Sequence, residues 1–190
     1  MSEQLSLYVS AAAEMDAECE LLGQLLAGLP RSARWTIKRT PSVGEPANPD
    51  LAALSRATAY VILLGSDLVA PMGVEWEAAQ ASHVTSFCYR HSGRIASPAA
   101  AAFARESGAH WQPYATPGEF VAQFERALIR ELVRGTPGYG LDLTAIEELA
   151  SRLQELEGEA QGERPENESR RGAGQGGVIL PANGHGASVR

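Results

Sequence analysis

The segment Ala59-Tyr60-Val61-Ile62-Leu63-Leu64 restricts the fold of this chain more than any other feature. It is a continuous apolar run rich in β-branched and aromatic residues, with no polar position alternating into it. A strand of that kind is stable only when both of its faces are covered, as in the middle of a parallel sheet. Gly65 and Ser66 end it. Parallel neighbours need crossover connections, so helices are expected on either side in sequence.

The rest of the chain supplies that alternation. Leu5 to Ser10 reads as a short buried strand, followed by a helical pattern from Glu14 to Gly28 in which Met15, Cys19, Leu22, Leu25, Leu26 and Leu29 recur at three- and four-residue intervals. Pro30 stops it. Trp35 to Thr40 reads as a second strand, and the proline-rich Pro41 to Pro49 as a loop. Asp50 caps a short helix through Arg56. After the central strand a loop runs to Gly73, Val74 to Ser82 reads as a helix, and Val84 to Tyr89 as a strand. Ser97 caps Pro98 to Glu106, with proline at the first helical position. Ala109 to Tyr114 is the fifth strand, and Thr116 caps a long helix through Val133 on which Phe120, Phe124, Leu128 and Leu132 repeat. The expected fold is therefore α/β, a doubly wound, flavodoxin-like, five-stranded parallel sheet over residues 1–134.

Residues 135–158 are expected to form a linker and an amphipathic helix. Thr144 and Glu147 read as its capping box. Its stripe of Ile146, Leu149, Leu153 and Leu156 covers only two heptads, so it packs either on its own domain or on a second copy of the chain. From Glu159 to Arg190 the chain offers almost nothing to bury, and disorder is expected; Val178 to Leu180 is the one apolar island, which reads more readily as a chance cluster than as a docking segment for a partner protein.

Composition narrows the function classes. With 44% hydrophobic and 21% charged residues among 190, the chain has a globular composition. A net charge of −7 and a pI near 5.1 argue against nucleic-acid binding, which needs a clustered basic surface. The longest apolar run, Ala57 to Leu64, is far short of the roughly 20 residues of a membrane span, and residues 1–20 carry Glu3, Glu14 and Asp16 but no basic leader segment. A cytoplasmic protein is expected. Cys19 and Cys88 read as buried, reduced thiols. His83, His91, His110 and His185 lack metal-ligand spacing, so no metal is expected. The one GxGxxG, Gly172 to Gly177, falls in the polar tail rather than between a strand and a helix, and there is no P-loop lysine and no GxSxG, which disfavours dinucleotide binding of the Rossmann kind, Walker-type hydrolysis and nucleophile-elbow chemistry. Asp16, Glu18 and Glu20 on the first helix read as solvated.

In such a sheet ligands bind beyond the carboxyl ends of the strands. Three segments should meet there: Ser10 to Ala13, Gly65 to Gly73, and the helix start carrying Glu75 and Glu77. On an ideal helix those two glutamates point roughly 200° apart, so only one can face a site. The stretch Gly65-Ser66-Asp67 followed by Gly73-Val74-Glu75-Trp76-Glu77-Ala78-Ala79-Gln80-Ala81 resembles the corresponding region of TIR-like and nucleoside deoxyribosyltransferase-like proteins. The deoxyribosyltransferase pattern of Gly, three residues, Glu, three residues, Ala is matched by Gly73, Glu77 and Ala81, and the strand ending in serine by Leu7-Tyr8-Val9-Ser10. The chain departs from those families at Pro71-Met72, where an aspartate precedes the glycine, and at Trp76, which adjoins Glu77 rather than preceding it by three.

The resemblance implies cleavage or transfer at a ribosyl C1′–N bond, on NAD or a nucleoside-like nucleotide, in a bacterial signalling or defence setting. NAD would then be substrate, with no cofactor. Glu77 is implied as the carboxylate that stabilises or attacks the oxocarbenium-like centre. Ser10, Ser66 and Asp67 would contact ribose hydroxyls, with Gly65, Gly73 and Trp76 completing the substrate site and N–H groups around Ser66 approaching phosphate. The alternative is a non-catalytic adaptor or nucleotide-binding module on the same fold.

Overall fold

The structure is a computed structural model that describes residues 5–29, 35–40, 48–135 and 139–162. Five parallel strands, β1 (Leu5–Ala11), β2 (Trp35–Arg39), β3 (Ala59–Leu64), β4 (Ser86–His91) and β5 (Gln112–Tyr114), form one sheet in the order β2-β1-β3-β4-β5. This is the doubly wound arrangement, whose strand order reverses between β1 and β3. Helices α1 (Asp16–Gly28), α2 (Leu51–Leu54), α3 (Ala70–Ala81), α4 (Pro98–Glu106), α5 (Pro117–Arg134) and α6 (Leu143–Gly162) follow in chain order, with a single 3-10 turn at Ala13–Met15 leading into α1.

Every side chain of β3 is buried, as a strand covered on both faces requires. Alternation then divides the interior in two. Leu5, Leu7, Val9 and Ala11 of β1, with Val61 and Leu63, face Leu22 and Leu26 of α1 and Phe120, Phe124 and Leu128 of α5. Tyr8, Tyr60, Ile62 and Cys88 face the other way, onto Leu54 of α2 and Met72, Trp76 and Ala79 of α3. Each fully buried aliphatic side chain of this kind contributes on the order of 1.5–3 kcal/mol over its exposed state.

The caps fall largely where the sequence places them. Asp50 accepts from the Ala53 N–H, Ser97 from Ala100 and Thr116 from Glu119. At α6, however, Asp142 is the capping side chain, accepting from the Ala145 N–H at 2.7 Å, and Thr144 lies inside the helix rather than heading a capping box. The apolar stripe of α6 packs on its own domain: Leu149 and Leu156 are buried in the α1/α5 core, with Leu153 partly buried against it. Arg152 reaches Glu125 and Arg130 reaches Glu157 across the α5–α6 pair. Helix α6 runs to Gly162, past the expected boundary at 158, and the island Val178 to Leu180 lies outside the described residues.

Helix α3 begins at Ala70, not Val74, because Pro71 falls in its first turn, where a missing N–H costs nothing. Strand β4 is displaced toward the carboxyl edge, ending at His91, and β5 shrinks to Gln112–Tyr114 at the sheet's edge. Among the described residues, no helix is long and apolar enough to cross a membrane.

Candidate functional site

Helix α3 crosses the sheet face that carries Tyr8, Ser10 and Tyr60, and it buries Met72, Glu75, Trp76 and Ala79, the i, i+3, i+4, i+7 stripe of a helix lying on a sheet. One member of that stripe is a carboxylate. Glu75 is fully buried, at 0% exposure, and points at the sheet. Glu77, on the opposite side of the helix, is exposed. The two glutamates diverge as helical geometry demands, but the inward one is not the one selected by the Gly73–Glu77–Ala81 spacing. The same glutamate-to-alanine interval also relates Glu75 to Ala79, which is fully buried, whereas Ala81 is exposed.

The strands supply Glu75 with hydroxyl donors. The Tyr8 hydroxyl donates to Oε1 at 2.8 Å, the Thr40 hydroxyl to Oε2 at 2.7 Å, and the Ser10 hydroxyl also donates to Oε2. Tyr60 donates to Ser10 Oγ at 2.8 Å, which extends the network to β3. Register explains the convergence: Tyr8 sits opposite Tyr60, Val9 opposite Arg39, and the N–H of Thr40 continues the ladder to the Val9 carbonyl at 3.0 Å. Burial, with the Glu75 carboxylate beside it, pushes the Tyr8 phenol far above the ordinary tyrosine range, so it stays a proton donor. Burial does the same to Tyr60.

A second carboxylate occupies the turn above β3. Glu14 Oε1 accepts from the N–H of Ser66 at 2.6 Å and of Asp67 at 3.2 Å, while Oε2 pairs with Arg94 Nη1 at 2.9 Å. Arg94 Nη2 also donates to the Glu14 carbonyl at 3.1 Å. Burial opposes the charge of Glu14, but the N–H groups of Asp67 and Ser66, with the Arg94 guanidinium, outweigh it and hold the carboxyl below the usual glutamate range. Gly65 makes the approach feasible: a Cβ there would lie 2.7 Å from Met15 Sδ and 2.9 Å from Glu14 Cδ.

Of the residues singled out from sequence, Ser10 is in the Glu75 network, and Gly65, Ser66 and Asp67 form the turn that binds Glu14. The Asp67 side chain accepts from the Ser97 hydroxyl and the Leu68 N–H, tying this turn to the start of α4. Gly73 lies within α3 with open space beside it. Trp76 is part of the core, 6.3 Å from the Tyr60 ring and edge-on to Phe103 at 6.4 Å. Tyr8, Thr40, Tyr60, Glu14, Glu75 and Arg94 were not among the residues selected. The stripe Met72–Glu75–Trp76–Ala79 is the sequence signal that places Glu75 inward.

Glu18 is 1% exposed, not solvated, and accepts from the Tyr114 hydroxyl at 3.3 Å. Asp16 and Glu20 are exposed as expected. Beside Tyr8 lies a groove of about 270 Å³ lined by Ser6, Thr36, Lys38, Ala53 and Arg56, whereas a larger one of about 480 Å³ sits among α1, α5 and α6, away from both carboxylates. Among the described residues, no group of three or more His, Cys, Asp or Glu is placed to hold a metal ion.

No family model matches the chain, and no curated protein matches it. Among solved structures it is similar to the CMP N-glycosidase BcmB of Clostridium botulinum, with 15% identity and a TM-score of 0.44, over 63% of this chain and 98% of that one.

Proposed function

We propose that the chain cleaves or transfers at the N-glycosidic bond of a nucleoside or nucleotide, and that Glu75, not Glu77, is the carboxylate that meets the developing positive charge at C1′. The observation that carries this reading is the Glu75 constellation: a fully buried carboxylate held by three hydroxyls from β1 and the end of β2, beside the point where strand order reverses. Departure of the base leaves an oxocarbenium-like centre, and a carboxylate fixed in advance stabilises it without reorganisation at the moment of reaction. Tyr8, Ser10 and Thr40 position that carboxylate. The resemblance at Leu7–Ser10 and along α3 points to the same chemistry, with NAD and deoxynucleosides as the substrates to try first and the cytoplasm as the setting.

A second reading is favoured by the same burial. Met72 and Trp76 fill the space under α3, and Glu75 has no surface of its own, as in a binding module whose carboxylate ties α3 to the sheet. Base release separates the two. The purified protein is incubated with NAD, deoxynucleosides and nucleoside monophosphates, and free base is followed by chromatography for wild type, Glu75→Gln and Glu77→Gln. The enzyme reading expects release by wild type and Glu77→Gln, with Glu75→Gln slower by about 10²–10³-fold, the loss typical of removing one electrostatic stabiliser. Release by none supports the binding module, and full activity of Glu75→Gln removes the role given to that residue.

A further inference from the structure

The turn after β3 has the features that bind phosphate in open α/β sheets: a glycine that lets groups approach the backbone closely, two successive N–H groups aimed at one point, and an arginine aimed at the same point. Here all of these donors are engaged by a side chain of the protein itself. Ser66 N–H, Asp67 N–H and Arg94 converge on the Glu14 carboxylate. Glu14 belongs to the turn after β1, so it stands at the carboxyl edge of the strand pair whose other face carries the Glu75 network. Together with Met15 it fills the space over Gly65 that even a methyl group could not share.

We infer that Glu14 is a specificity residue that excludes phosphate, so that the chain takes an uncharged nucleoside rather than a nucleotide. The inference rests on the glycosidase reading for the identity of the substrate but not for the anion site itself. A phosphate entering here would have to displace a tethered carboxylate whose local concentration is fixed by the chain, and to lose the same three donors to it. Left in place, the Glu14 charge repels an incoming phosphate at short range. Glu14 is also partly accessible, at 27% side-chain exposure, with Arg94 at 31%, so the position can be reached from solvent once Glu14 is gone.

The test uses inorganic phosphate as probe, by calorimetric titration of wild type, Glu14→Ala, Glu14→Gln and Glu14→Ala/Arg94→Ala. Wild type is expected not to bind. Glu14→Ala should bind at least about tenfold more tightly than wild type, the equivalent of one charge-assisted hydrogen bond, and the added loss of Arg94 should cancel the gain. Should Glu14→Ala fail to fold, Glu14→Gln keeps the shape without the charge and must show the gain instead. Phosphate binding by wild type as tight as by the folded variant overturns the inference, as does a folded variant with no gain. Preference for nucleoside over nucleoside monophosphate, read from binding of each to wild type and Glu14→Ala, should narrow or invert in the variant. If no protein releases base from any substrate, the glycosidase reading fails while the phosphate titrations still decide this one.

Discussion

Replacing Glu75 by Gln changes one oxygen to an amide nitrogen and almost nothing in volume, so its effect on stability isolates the charge within the buried network. Three hydroxyls now donate to an ionisable carboxylate, from Tyr8, Ser10 and Thr40. A hydrogen bond to a charged group is worth about 1.5–3 kcal/mol net, a neutral one about 0.5–1.5. The amide keeps one acceptor oxygen, which suffices for Ser10 and Thr40 at the position of Oε2. Its nitrogen must then face the Tyr8 oxygen, which can turn from donor to acceptor. The change therefore weakens two or three bonds by about 1 kcal/mol each, while relieving part of the cost of holding a charge away from water. The expected net loss is about 1–3 kcal/mol. Glu77→Gln, on the exposed side of α3, should stay within about 0.5 kcal/mol of wild type. Urea denaturation with shared slopes measures both. A Glu77→Gln loss as large as that expected of Glu75→Gln, with Glu75→Gln neutral, would refute the assignment of the inward glutamate and with it the geometry of the site.

Two further outcomes are expected. The folded-state pKa of Glu14 lies below its ordinary value, so its contacts add stability at neutral pH that is lost as pH falls through that lowered value; the stability gap between wild type and Glu14→Gln should be full at pH 7 and shrink in acid, and a gap that widens in acid would contradict the Ser66, Asp67 and Arg94 contacts. Leu149 is 1% exposed within the chain's own core, so Leu149→Ala should cost about 2–5 kcal/mol, with a thermal midpoint independent of protein concentration; a concentration-dependent midpoint would assign the stripe to contacts between copies.

Much of the fold is legible in the sequence because the elements that define it obey simple rules. Ala59–Leu64 is bounded by glycine and alanine-threonine and runs just as its composition dictates. Pro98–Glu106 begins after Ser97 and proline, two signals that agree. Misplacements occur where two rules conflict. Pro71 and Gly73 look like loop residues, yet proline is at home in a first turn, so α3 starts earlier than Val74. Ala109–Trp111 is apolar enough for a strand but lies beyond the ladder, which pairs β4 only with Gln112, Pro113 and Tyr114. Glu18 reads as a solvated helix residue because the hydroxyl that covers it, on Tyr114, is distant in sequence.

The candidate site is only partly legible in the sequence for a related reason. A motif interval counts residues, whereas a helix on a sheet sorts them by angle, and the angle is set by the apolar neighbours. Met72, Trp76 and Ala79 fix the buried direction of α3, and Glu75 lies within it. Burying a carboxylate costs several kcal/mol before any contact is counted, and an apolar side chain at that position would pack against Ile62 and Met72 without the cost. The facing strand surface has answered the carboxylate residue by residue: Tyr8 and Ser10 on β1, Thr40 after β2 and Tyr60 on β3 place hydroxyls on a face whose other members are apolar. Three of these hydroxyls, on Tyr8, Ser10 and Thr40, share Glu75 as their acceptor, and Tyr60 joins them through Ser10, so losing the carboxylate disturbs every donor of the group. That interdependence makes position 75, rather than the better-matching but exposed position 77, the place where either the chemistry or the rigidity of this domain is concentrated.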